Sequence, residues 1–104
     1  MGASTVVRSA KARKDVRELY VWIVEDSGLE RAEQVIARIE ATVQRLAKRP
    51  LSGRSRPDLE GEPRSFSVAP WLIVYEPLKD GTGIHLLRII DSRRDVAALL
   101  GKKS

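Results

Sequence analysis

From Ala32 onward, apolar side chains recur at Ile36, Ile39, Val43 and Leu46, in steps of four, three, four and three. Only an α-helix places such a series on one face, and Pro50 stops it. At about 1.5 Å per residue, a helix reaching about Arg49 is roughly 30 Å long, the width of a small domain. The seam is as regular as a coiled coil but too short to stand alone, so its stripe must be buried against the rest of the chain. That chain has 104 residues, enough for one two-layer core, and residues 1–104 read as a single domain.

The remaining elements are set by local pattern. Thr5 to Arg8 alternates and reads as a short first strand. Ser9 is a helix N-cap, its side-chain oxygen placed to accept from the first turn. Ala12, Val16, Leu19 and Ile23 then form one helical face that ends near Glu25–Gly28. Ser27 and Glu30 have the spacing of a capping box and open the second helix. The short connection makes the two helices an antiparallel hairpin. Pro50 to Pro63 is polar and punctuated by proline and glycine, a loop crossing from helices to sheet.

Beyond Pro63 the chain is strand-like. Arg64 to Val68 alternates, with Phe66 and Val68 on one face, and Ala69-Pro70 turns the chain. Trp71 to Tyr75 is continuously apolar, as in a central strand covered on both faces. Lys79 to Gly83 is a hairpin turn, and Ile84 to Ile90 is the returning strand. Strict alternation there points Leu87 and Ile89 one way and Ile84, Leu86, Arg88 and Ile90 the other. Asp95 caps a short last helix carrying Val96, Leu99 and Leu100; Gly101 ends it, and residues 102–104 fray. The fold class is α+β: an N-terminal strand, an antiparallel helical hairpin packed on an antiparallel β-sheet, and a short C-terminal helix.

Composition limits the chemistry. With no cysteine, thiolate nucleophiles, disulfides and thiolate metal sites are excluded, and the single histidine, His85, excludes a multi-histidine metal centre. No apolar run approaches the ~20 residues of a membrane span, and the N-terminus lacks a signal pattern. The expectation is a cytoplasmic domain without cofactor. Net charge is +5, with ten Lys/Arg against seven Asp/Glu in residues 1–49 and nine against seven in residues 50–104. Spread this evenly, the excess favours an acidic partner and not a disordered nucleic-acid-binding arm.

No phosphate loop, dinucleotide fingerprint or nucleophile elbow is present. His85 lies mid-strand between Ile84 and Leu86, where a half-buried, satisfied ring is the plainer reading than a general base. The arginines are more informative. Arg64, Arg88, Arg93 and Arg94 lie on or beside the sheet and are the candidate binding surface, while no residue is a catalytic or metal-ligand candidate. Arg88, central in an apolar strand, must reach an edge, pair with a carboxylate or face a groove; Glu76, Asp91 and Asp95 are the partners its surroundings suggest. Trp71 and Tyr75 are surrounded by aliphatics and, with Trp22 and Tyr20 of the first helix, are read as filling or rimming the core.

The stretch from Arg49 to Leu59, the strand Arg64 to Val68, the run Trp71 to Tyr75, and Ile84 to Asp95 with its central Arg88 and its Arg93-Arg94-Asp95 ending together resemble the ParE branch of the RelE/ParE toxin superfamily. These are the plasmid stabilisation toxins of type II toxin–antitoxin pairs. The likeness covers nearly the whole chain; Asp91 departs from it, standing where family members often have histidine. The RelE branch consists of ribosome-dependent ribonucleases that use basic residues on the sheet and a C-terminal tyrosine. By the strand alignment, two of their lysines fall at Ser65 and Ser67 and an arginine falls at Leu72, while Arg93 alone keeps a basic residue. No aromatic follows Val96. A phosphoryl transition state needs several positioned cations and proton-transfer groups, so the resemblance implies a non-enzymatic toxin that inhibits DNA gyrase by binding. A RelE-like messenger-cutting ribonuclease, using Arg93 and His85, is the alternative. The likeness also implies a ParD-like antitoxin with a ribbon-helix-helix DNA-binding domain, through which alone the toxin would meet DNA. The antitoxin's flexible segment would be received as a helix or added strand on the apolar surface between hairpin and sheet.

Overall fold

The computed structural model describes residues 4–101. The elements are β1 (Thr5–Arg8), α1 (Ala10–Ser27), α2 (Leu29–Lys48), a 3-10 turn at Pro50–Ser52, β2 (Arg54–Ser55), β3 (Arg64–Val68), β4 (Trp71–Pro77), β5 (Gly83–Asp91) and α3 (Val96–Leu100). They form one five-stranded sheet in the order β1-β5-β4-β3-β2. The hairpin of α1 and α2 covers one face, and the molecule is 21 Å through its thinnest axis, the depth of a helix layer on a sheet. Its main core joins Ala12, Leu19 and Ile23 of α1 and Ile39, Val43 and Leu46 of α2 to Ile73, Tyr75, Ile84 and Leu86 of the sheet. Leu72, Val74 and Ile90 on the other face are covered by Leu99 and Leu100 of α3. The continuous apolar run of β4 thus serves two cores.

Three features refine the sequence reading. First, the sheet is mixed: β1 runs parallel to β5, pairing Thr5 with Gly83 and Arg8 with Leu86, while the other strand pairs are antiparallel. Gly83 permits this, because a Cβ there would strike the Thr5 carbonyl. Second, the polar loop after α2 is not wholly irregular; Arg54 and Ser55 add a short strand against Ser65 and Arg64. Third, the alternation expected for β5 fails at a bulge. Val74 faces Arg88 but Tyr75 faces Leu86, so Leu87 is an extra residue. An inserted residue reverses the parity of the strand beyond it. Ile84, Leu86 and Ile89 therefore join the helix-facing core, whereas Leu87 and Ile90 join the other.

The capping box is also replaced. Ser27 is the last residue of α1 and its hydroxyl donates to Asp26. α2 starts at Leu29 with no side-chain cap. Gly28 alone joins the helices: its N–H donates to Val24 O and its carbonyl accepts from Ala32 N–H. Its φ of +92° reverses the chain in one residue, which leaves no room for a separate N-cap. The caps expected at Ser9 and Asp95 are present, accepting from the N–H groups of Ala12 and Ala98.

Tyr75 ties the crossing loop to the core. Its side chain is fully buried, and its hydroxyl donates to Pro50 O and accepts from Gly53 N–H, both at 2.8 Å. A side chain on Gly53 would collide with that hydroxyl. Burial pushes the phenol pKa up. Above about pH 10 the unfolded chain releases this proton while the folded chain keeps it, so stability falls as pH rises. Tyr75→Phe should remove that alkaline slope from urea-unfolding stability. At neutral pH it should cost roughly 1–3 kcal/mol, because Gly53 N–H loses its buried acceptor.

Candidate functional site

β1 is too short to cover β5. It stops at Arg8, opposite Leu86, and α1 takes over the exposed edge with side chains. Ser9 Oγ donates to Leu87 O at 2.8 Å. Asp15 then accepts from Ile89 N–H at 3.0 Å and, through both oxygens, from the Arg88 guanidinium at 2.8 and 3.1 Å. Both side chains are largely buried, at 17% and 11% exposure for Arg88 and Asp15. The partner of Arg88 is thus on α1, and none of Glu76, Asp91 or Asp95 fills that place. Asp15 lies far away in sequence and only the packing of α1 over the sheet brings it near.

The other arginines are dispersed. Arg64, at the start of β3, donates to Gly53 O at 2.8 Å and Leu51 O at 3.3 Å and so fastens the crossing loop. Arg93 stands just beyond β5, and its guanidinium grips both oxygens of Asp91 at 2.9 and 2.6 Å while its N–H donates to the same carboxylate. Those hydrogen bonds from Arg93 bring the Asp91 pKa down to about 2. Arg94 is exposed and has no side-chain partner among the described residues. The four candidates do not form one cluster. Arg64 pairs across the sheet with Tyr75, whereas Arg93 and Arg94 follow Asp91, which lies opposite Trp71 at the other end of β4.

At that end the structure places a surface of a different kind. Trp22 of α1 and Trp71 of β4 meet edge to face, with ring centroids 6.3 Å apart and planes at 79°. Trp22 is 52% exposed, so the pair rims the core without being enclosed by it. A groove opens on each side. One is bounded by Asp15, Glu18, Ile89 and Arg94; the other by Val35, Val68, Pro70, Arg31 and Arg38. Arg31 and Arg38 are exposed, and neither has a side-chain partner among the described residues. Sequence reasoning centred on strand arginines passed these two by. The signal available was the seven-residue spacing of Arg31, Arg38 and Arg45, which sets a row along one side of α2. Aromatic walls, apolar floor and unpaired guanidiniums are the composition of a protein-binding surface.

His85 is half-buried, with Nδ1 3.1 Å from Glu76 Oε1 across the strand pair. Glu76 is an acid–base neighbour not foreseen from the sequence. His85 and Arg93 cannot serve one reacting group, since the strand from His85 to Asp91 puts about 20 Å between the histidine and the turn that carries Arg93. Leu72 is buried beneath α3, and Ser65 is buried as well. Among the described residues, no group of three histidine, aspartate or glutamate side chains could hold a metal ion, and no helix is long and apolar enough to cross a membrane.

A family model described as the ParE toxin of type II toxin–antitoxin systems, parDE, matches residues 6–96. Toxin ParE3 of Caulobacter vibrioides is 36% identical over 99 residues, which are 95% of this chain and 97% of that protein. A chain of the chromosomal ParDE toxin–antitoxin system from P. aeruginosa superposes with a TM-score of 0.71 at 23% identity, covering 86% of this chain and 96% of that one. A chain of the RelBE2 toxin–antitoxin complex from Mycobacterium tuberculosis gives 0.57 at 21% identity, covering 86% and 99%. The two solved structures share the fold.

Two measurements check the arginine assignments. Arg88→Ala leaves the Asp15 carboxylate short of two charge-assisted hydrogen bonds and should cost about 2–4 kcal/mol in denaturant unfolding. Arg93→Ala should barely change stability. It should instead raise the Asp91 carboxyl pKa, read by carbon NMR titration, from about 2 toward the ordinary carboxylate range. The stabilisation that Asp91 gives its turn is complete above that ordinary range and disappears as pH falls to about 2.

Proposed function

Because this chain belongs to the ParE toxin family of type II toxin–antitoxin systems, we propose that it acts in the cytoplasm as a protein ligand that inhibits DNA gyrase. A ParD-like antitoxin with a ribbon-helix-helix domain neutralises it and supplies its only link to DNA. The observation that carries this reading is the contrast between the two kinds of surface. The positions at which the ribonuclease branch places sheet cations hold Ser65, Ser67 and Leu72, two of them buried. The remaining basic residue, Arg93, is held by Asp91. By contrast, the Trp22–Trp71 surface is open, apolar and bordered by unpaired arginines. Truncating a half-exposed tryptophan in such a place removes binding energy while leaving the core intact.

Supercoiling by purified gyrase, with the chain added in stoichiometric excess, tests the target. Inhibition is expected, together with no cleavage of messenger RNA on translating ribosomes. Trp22→Ala should keep the native circular dichroism spectrum and weaken neutralisation or target binding by roughly tenfold or more. Messenger cleavage with untouched supercoiling would overturn the proposal.

A further inference from the structure

Charge is sorted along α1. Asp15 is taken up by Arg88. Apart from it, every charged residue before Glu18 is basic (Lys11, Arg13, Lys14 and Arg17), and every one from Glu18 onward is acidic (Glu18, Glu25 and Asp26). This order is the reverse of the one the helix's own dipole favours. Nor does α2 answer it. In the antiparallel hairpin the acidic end of α1 lies toward Glu30 in the first turn of α2, and its basic end lies toward Arg45 and Lys48 in the last. Like sign faces like sign.

Where the sign changes, α1 presents apolar surface to solvent. Val21 is 54% exposed and stands on the side of the helix opposite the buried Leu19 and Ile23. With Trp22, Arg17, Glu18 and Glu25 it lines an open, mainly apolar depression. Arg17 is four residues before Val21 and Glu25 four after, each about 6 Å along the axis. Both are exposed, and neither has a side-chain partner among the described residues. The contact of Glu18 with Lys14, at 3.7 Å, is exposed and weak.

We propose that two copies of this chain associate through α1, packed antiparallel about a two-fold axis at Val21. Val21 then meets its own copy, and Arg17 of each copy meets Glu25 of the other. Symmetry makes that ion pair twice. A parallel pairing would set Arg17 against Arg17. Lys14, Arg17, Glu18 and Glu25 together carry no net charge, so this face escapes the repulsion that the overall +5 imposes between copies. An acidic partner would be repelled by the half from Glu18 onward, and a basic one by the half before it. Only a surface of mixed sign in the opposite order fits, and α1 itself is such a surface. An 18-residue helix offers about 27 Å of contact. That is the small end of protein interfaces, with a dissociation constant of roughly 10–500 μM.

Sedimentation equilibrium of the free chain up to 1 mM tests this, with circular dichroism to confirm that each variant is folded. The wild-type chain should be in monomer–dimer equilibrium, and Val21→Asp should weaken association at least tenfold. Arg17→Glu and Glu25→Arg alter net charge in opposite directions, yet each alone should weaken association roughly tenfold. The double change Arg17→Glu with Glu25→Arg should restore it to within about threefold of wild type, because the pair re-forms with its signs exchanged. A chain that stays monomeric at 1 mM would overturn the proposal, whatever else binds this face. So would a dimer that survives Val21→Asp but is lost in Val7→Asp, which would place the contact at the exposed β1 edge. Failure of the double change to recover what each single change loses would overturn the antiparallel pairing.

Discussion

Asp15 holds the helical layer to the sheet at the point where strand pairing runs out. β1 ends opposite Leu86, and without a substitute the edge of β5 would keep an unpaired N–H at Ile89, next to a guanidinium in an apolar strand. Either is costly beneath a packed helix. One carboxylate answers both, by accepting from Ile89 N–H and from Arg88. It also sets the rotation of α1. Leu19 and Ile23, four and eight residues later, are buried in the core. Trp22, seven residues later and two turns along, comes to rest against Trp71. The tryptophan surface therefore depends on an interaction at its own margin, where Asp15 borders one of its grooves.

Much of this architecture is legible in the sequence because local physics agrees with the final packing. The steps of three and four along α1 and α2, the Ser9 and Asp95 caps, the apolar run of β4 and the glycine-rich hairpin before β5 each carry their own signal. The departures share a different cause. The parity of β5 is reversed by Leu87, and a bulge has no mark in a strand whose residues are apolar on both sides of it. Ser27 and Glu30 satisfy the capping-box spacing, yet Gly28 decides the outcome because its positive φ ends one helix and starts the next. The parallel pairing of β1 with β5 joins residues about eighty positions apart, and only the close approach at Gly83 hints at it.

The arginines show the same division between local and long-range causes. A strand arginine draws notice in a sequence because it interrupts an apolar pattern, and that interruption is why the fold supplies it with a partner. Arg88 receives Asp15, and Arg64 receives the carbonyls of the crossing loop. An arginine on the outer side of a helix interrupts nothing and needs no partner for folding. Arg31 and Arg38 are therefore inconspicuous in the sequence and, among the described residues, unpaired in the structure. Cations that most demand attention in one dimension are the ones most completely used by three.

This distribution bears on how a small positively charged domain meets other molecules. Catalysis of phosphoryl transfer requires cations that converge on one group. Here the cations beside the tryptophan pair that lack a side-chain partner among the described residues diverge: Arg94 borders one groove beside Trp22, and Arg31 and Arg38 border the other. Arg38 is shared with the depression along β3, where Arg45 follows. Separated by turns of helix and by the tryptophan ridge, they cannot act on a single phosphate. They are suited to a ligand that is itself long and carries its negative charges at intervals. A chain lying over the ridge would meet apolar surface and guanidinium in succession. Each contact is modest alone, but tethered in sequence they raise one another's effective concentration.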